Sequence, residues 1–136
     1  MDFKAYIFGN VLAILILDTM GQRILVVDDL EVNRIMLQGL LSNAGYIVDV
    51  ADDGNMALSI LAQKQFDLMV LDLLMPGMNG FELLERLSGS KLPVIVLSAL
   101  SDMASIKQAL DLGAVDYVAK PFNIQSLLTK VRNVLE

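Results

Sequence analysis

From residue 24 onward, five short runs of almost unbroken apolar residues punctuate the chain, and a longer amphipathic stretch follows each. The runs are Ile24–Val27, Ile47–Ala51, Leu68–Leu71, Val94–Leu97 and Tyr117–Ala119. A strand with one wet face alternates apolar and polar residues. Runs this continuous predict strands buried on both faces, the habit of parallel sheets covered by helices.

The intervening stretches carry helical spacing. Val32, Ile35, Met36, Leu40, Leu41 and Ala44 recur mostly at steps of three or four, with Gly45 as the stop. Met56, Ala57, Ile60 and Leu61 form a second face entered from Asp52-Asp53, and Phe81, Leu83, Leu84 and Leu87 a third ending near Gly89. A fourth has Ile106, Ala109, Leu110 and Leu112, with Ser101 or Asp102 as N-cap and Gly113 as C-cap. Leu127, Leu128, Val131, Val134 and Leu135 form the fifth, capped by Asn123. Five β-α units predict one α/β domain over residues 20–136, with parallel strands joined by crossover helices. The chain ends with the fifth helical pattern, so no output domain is expected within it.

Ahead of this domain, Ala5 to Leu17 is apolar except at Gly9 and Asn10. The run is shorter than the roughly 20 residues a spanning helix needs. It lacks the basic flank and small-residue cleavage site of an export signal, because Asp2 offsets Lys4. Residues 1–19 therefore read as an apolar N-terminal extension, with no membrane span. It is either an upstream start or artificial addition, or a packing segment that covers the domain's own surface or joins a neighbouring chain, as in a homodimer through residues 5–17.

Composition narrows the chemistry. With no Cys and no His there is no thiolate metal site, no Ser-His-Asp triad and no imidazole base. A metal would have to be a hard cation held by oxygens. The net charge of -6 argues against direct nucleic-acid binding by bulk charge.

Ligands of open parallel sheets bind beyond the carboxyl ends of the strands. Asp28 and Asp29 follow the first strand, Asp72 the third, Ser98 the fourth, and Lys120 with Pro121 the fifth. Taken singly, these residues suit turns, caps and surface charge. Together they place three carboxylates, a hydroxyl and an ammonium at one end of the sheet. Carboxylates about 5 Å apart repel by roughly 3 kcal/mol per pair at an effective dielectric near 20. Without a cation one of them would hold a proton. A carboxylate-held Mg²⁺ site with one acid left free to react is the expected arrangement.

Four motifs now stand in order: Leu25-Val26-Val27-Asp28-Asp29, Leu71 to Gly80 (LDLLMPGMNG), Val96-Leu97-Ser98-Ala99, and Asp116 to Phe122 (DYVAKPF). In this order and spacing the chain, from about Gln22 to Glu136, resembles the response-regulator receiver domains of two-component signalling. The resemblance implies a flavodoxin-like, doubly wound, five-stranded parallel sheet in the order 2-1-3-4-5 with five helices. That order is the family's and is not read from these residues. The resemblance further implies Asp72 as phosphoacceptor from a phosphohistidine of a sensor histidine kinase or histidine phosphotransfer protein. It implies Mg²⁺ held by Asp28, Asp29, Asp72 and the backbone carbonyl of Leu74, with Asp29 the more direct of the first two. Lys120 would pair with the phosphoryl oxygens and Ser98 would donate to one of them. Tyr117 would turn inward as Ser98 moves, and the Lys120–Pro121 bond would be cis. Such a module is a cytoplasmic signalling switch with a downstream protein target rather than an enzyme acting on other molecules. The face carrying Lys107, Tyr117 and Lys130 is its expected partner surface.

Two departures bear on mechanism. Asn79 stands where Asp is common and is expected to alter only a loop contact. Leu74 and Leu100, two residues after Asp72 and Ser98, replace polar side chains that position a hydrolytic water in other members. They predict slow loss of phosphate by crowding that water, unless both simply face apolar surface. Two other functions compete with the switch. An Asp-nucleophile phosphatase of the haloacid-dehalogenase type needs Asp-x-Asp-x-Thr after the first strand, and Asp28-Asp29-Leu30-Glu31 does not match it. A pseudo-receiver used only for protein contacts would not need every reactive position filled.

Overall fold

The computed structural model describes residues 21–136, so the N-terminal extension and the homodimer contact expected at residues 5–17 lie outside the described residues. The elements alternate strictly: β1 (Arg23–Val27), α1 (Glu31–Asn43), β2 (Ile47–Ala51), α2 (Gly54–Gln63), β3 (Leu68–Leu71), α3 (Gly80–Arg86), β4 (Val94–Ser98), α4 (Met103–Asp111), β5 (Asp116–Ala119) and α5 (Ile124–Leu135). All four strand pairings are parallel and the order is β2-β1-β3-β4-β5. This is the flavodoxin-like sheet with five helices that the motifs implied.

The period-two geometry of a strand sends neighbouring residues to opposite faces, and two cores result. Ile24, Val26, Leu68, Val70, Ile95 and Leu97 pack with Leu37 and Leu41 of α1 and Leu127 and Val131 of α5. Leu25, Val27, Met69, Leu71 and Val96 face the other way, onto Ala57 of α2, Leu83 and Leu84 of α3 and Ala109 of α4. Fully burying each Leu, Ile or Val is worth about 1.5–3 kcal/mol. The central strands β1, β3 and β4 are therefore continuous apolar runs because both faces are covered. The edge strands β2 and β5 are only partly covered, and Ile47 is 40% exposed.

Helix ends follow their capping chemistry. Asp53, Asp102 and Asn123 accept from the backbone N–H three residues on, at Met56, Ser105 and Ser126. Asp102, not Ser101, caps α4. Asn79 caps α3 by accepting from Glu82 N–H at 3.0 Å, a role an Asp would fill equally well. After α1, Gly45 takes φ 102°, a conformation that an L side chain resists.

The phase of α1 corrects the sequence reading. Leu37 and Leu41 are buried, Leu40 and Ala44 pack at their flank, and Val32, Ile35 and Met36 are exposed at 71%, 62% and 46%. At 100° per residue, Val32 and Ile35 lie on the side opposite Leu37, so the i, i+4 pair Leu37–Leu41 sets the face. The same rotation brings Asn33, four residues before Leu37, and its neighbour Arg34 round toward the top of β1. Met56 in α2 and Leu110 in α4, expected on core faces, are also exposed, each at 44%.

Candidate functional site

The sheet delivers the site residues by extending its own ladder one step beyond the strands. Asp28 N–H donates to Ala51 O (3.2 Å), Asp72 N–H to Val27 O (2.9 Å) and Lys120 N–H to Ser98 O (2.9 Å). Each residue is thus anchored by its main chain to the last residue of the adjacent strand. The Lys120–Pro121 peptide is cis, as expected.

Asp28, Asp29 and Asp72 converge so that one carboxylate oxygen from each lies within 4.8 Å of the others. Asp28 is 2% exposed and Asp72 7%, while Asp29 is half-buried. Lys120 Nζ spans two of them, at 2.8 Å from Asp28 Oδ2 and 3.3 Å from Asp72 Oδ2. Burial pulls the Lys120 ammonium toward its neutral form. The hydrogen bond to Asp28 and the charges of Asp72 and Asp28 outweigh that pull and hold its pKa above the usual lysine value. Three hard oxygens at this spacing, one on a partly open residue, suit a divalent cation that keeps some of its waters.

Ser98 is fully buried, and its Oγ accepts from Leu100 N–H at 3.3 Å. The Tyr117 phenol donates to the carbonyl of that same Leu100, and burial raises its pKa, partly offset by the Ser98 hydroxyl. The Leu100 main chain therefore links Ser98 to Tyr117, a connection the sequence does not reveal. Leu74 N–H donates to Asp72 Oδ1 at 3.1 Å, and the Leu74 side chain is 49% exposed. The Leu100 side chain packs against the α2-α3-α4 core. The two leucines thus differ, and only Leu74 stands open beside the acids.

Gly80 governs how closely α3 approaches this loop. A Cβ there would meet Leu73 Cα at 2.6 Å and Asp72 O at 2.7 Å, both backbone atoms with nowhere to go. Gly80 N–H uses the space to donate to Leu73 O at 3.0 Å.

Asn33 and Arg34 of α1 are site residues that the sequence motifs do not single out. Asn33 Nδ2 donates to Asp28 Oδ2 at 3.2 Å and Arg34 Nη1 to Asp28 O at 2.7 Å. The signal that could find them is the spacing of Asn33, Leu37 and Leu41, a polar residue one turn ahead of a buried pair.

The family model for the response regulator receiver domain matches residues 24–132. Response regulator MprA of Mycolicibacterium vanbaalenii is 42% identical over 118 residues, covering 85% of this chain and 51% of the relative. MprA of Mycobacterium tuberculosis gives the same identity and coverage. The chain thus spans about half the length of these curated relatives. Among solved structures, the chemotaxis protein CheY4 of Vibrio cholerae superposes with a TM-score of 0.79 at 31% identity, covering 84% of this chain and 98% of that one. The response regulator TrrA of Thermotoga maritima, solved in complex with Mg²⁺-BeF, gives 0.76 at 36% identity, covering 84% and 99%. A match across nearly every described residue, on a sheet of this order, assigns the chain to the response regulator receiver domain family.

Proposed function

We propose that the chain is a phosphorylatable signalling switch whose acceptor is Asp72. The observation that carries this is the Lys120 ammonium shared between Asp28 and Asp72, with Asp29 alongside. One buried carboxylate is held ready to react, and a cation is already placed to meet incoming negative charge.

An oxygen of Asp72 attacks phosphorus as the P–N bond of a partner's phosphohistidine breaks. The imidazole leaves with the bonding pair and takes a proton from water. Such transfers depend on positioning and charge neutralisation more than on covalent machinery. Mg²⁺, held by Asp28, Asp29, Asp72 and the Leu74 carbonyl, would supply the divalent charge that lets the acids and the phosphoryl oxygens coexist. Lys120 takes one phosphoryl oxygen and Ser98 Oγ donates to another. As Ser98 turns, the Leu100 main chain moves with it and Tyr117 follows. The change reaches the face of α4, β5 and α5, where Lys107 pairs with Asp111 and Lys130 with Asp116. The donor is a sensor histidine kinase or a histidine phosphotransfer protein, and the readout is a protein target. Among the described residues no helix is long and apolar enough to cross a membrane. We place the switch in the cytoplasm with its donor.

Incubation with Mg²⁺ and acetyl phosphate, followed by intact mass, tests the reading. One phosphate per chain supports it. No uptake would leave the pseudo-receiver, and repeated turnover of phosphate esters would favour the phosphatase.

Leu74 gives this switch a slow clock. Its half-exposed side chain puts an apolar group two residues after Asp72, where a polar one would hold a hydrolytic water, whereas Leu100 packs against the core. Leu74→Asn is expected to shorten the phosphorylated lifetime about tenfold, equivalent to ~1.4 kcal/mol of barrier. Leu100→Asn should instead act mainly on stability. A decay within seconds in the wild type, unchanged by Leu74→Asn, would sink the idea.

A further inference from the structure

Asp28 is surrounded by more donors than a carboxylate facing a cation requires. Its Oδ1 accepts from Leu30 N–H at 3.0 Å, and its Oδ2 accepts from both Lys120 Nζ at 2.8 Å and Asn33 Nδ2 at 3.2 Å. Two donors on one oxygen become informative once one of them has to leave.

We infer that Asn33 is a positioning residue for phosphoryl capture: it holds Asp28 Oδ2 when Lys120 transfers to the phosphoryl group on Asp72. This rests on the reading of Asp72 as phosphoacceptor. Phosphorylation adds about 1.5–2 negative charges at Asp72 and draws the shared ammonium off Asp28. Asp28 is 2% exposed, so water cannot readily replace the departing donor. Without Asn33, Oδ2 would keep no hydrogen-bond donor, and an under-satisfied buried acceptor is disfavoured, a penalty that would resist the transfer of Lys120. The Asn33 amide is already within bonding distance and need not move far. Being neutral, it satisfies the oxygen without competing for the phosphoryl group as a second cation would.

The placement of Asn33 follows from the fold. It lies one turn before Leu37 and two before Leu41, both buried, so the packing of α1 fixes its direction. Arg34 Nη1, on Asp28 O, holds the main chain of the same residue and keeps the acid from following the departing ammonium.

Beryllofluoride with Mg²⁺ is the probe of phosphoryl capture. Asn33→Leu is expected to change Mg²⁺ affinity by less than about threefold but to weaken beryllofluoride binding at saturating Mg²⁺ by about tenfold, the scale of one hydrogen bond to a charged group. A residue that merely supported the fold would move both affinities together. Asn33→Ala serves if the leucine variant does not fold. A second measurement needs no phosphoryl mimic. In urea titrations without Mg²⁺, Asn33→Leu should destabilise a Lys120→Met protein more than it destabilises the wild type, because Asn33 is then the remaining side-chain donor to Asp28 Oδ2. Equal beryllofluoride affinities, or strictly additive stabilities, would overturn the inference while leaving Asp72 as acceptor. Failure of the wild type to bind beryllofluoride would remove the acceptor reading, and the inference with it.

Discussion

Asp72→Asn is expected to abolish phosphate uptake from acetyl phosphate while leaving the fold in place. The amide has the carboxylate's shape but neither its charge nor its nucleophilic oxygen. Neighbouring acids cannot substitute. Asp28 is 2% exposed, and both its oxygens are engaged by Leu30, Asn33 and Lys120. Asp29 is more open, but the Lys120 ammonium contacts Asp28 and Asp72, so a phosphoryl group on Asp29 would lack that counter-charge. The stability terms oppose one another. The variant gives up a charge-assisted hydrogen bond to Lys120, worth about 1.5–3 kcal/mol. It also removes one of three crowded carboxylates, relieving a repulsion of similar size, roughly 3 kcal/mol per close pair at an effective dielectric near 20. Circular dichroism should show the native fold and intact mass should show no added phosphate. Uptake at anything near the wild-type rate would assign the acceptor elsewhere.

The acids are legible in the sequence and Asn33 is not, and the difference is one of topology. In an all-parallel sheet every strand ends at the same edge, so a residue that follows a strand has its position in space set by its position in sequence. Asp28, Asp72 and Lys120 are of this kind, and Ser98 is itself the last residue of β4. The central strands are equally plain, because burial on both faces confines polar residues to their ends, at Arg23 and Ser98. Capping residues are legible where a side-chain oxygen does the capping, as at Asp53, Asp102 and Asn123. At α1 the N-cap is Leu30, with no side-chain bond, and the helix offers no such mark. Its rotation is obscured because Val32, Ile35 and Met36 are apolar yet exposed, and apolar count alone cannot tell a core face from a bare one. A helix phased on those three residues turns Asn33 and Arg34 away from the site. The link from Ser98 through Leu100 to Tyr117 is hidden for another reason: it runs through backbone atoms, which carry no sequence signature.

The largest change in stability is expected from Lys120→Met measured without Mg²⁺. The Lys120 side chain is 19% exposed, and its ammonium neutralises carboxylates whose side chains are 2% and 8% exposed. A partner removed from a buried ion pair leaves an uncompensated charge, and such losses run to about 3–5 kcal/mol. Methionine fills the volume of the stem, so the loss is electrostatic and not a cavity. Two conditions should shrink it. Saturating Mg²⁺ restores positive charge among the acids, and a ligand bound only by the folded state adds stability by mass action. High pH removes the wild type's advantage instead. Lys120 has a folded pKa raised above the usual 10.5, so its contribution is complete below that value and fades as pH climbs through the higher folded one. Urea midpoints of the two proteins should therefore lie far apart at neutral pH in chelator, draw together with Mg²⁺, and converge again in strong alkali. Midpoints that coincide in chelator at neutral pH would mean that the ammonium is not what holds Asp28 and Asp72 together. An equal gap with and without Mg²⁺ would mean instead that the ion and the ammonium do not compensate the same carboxylates.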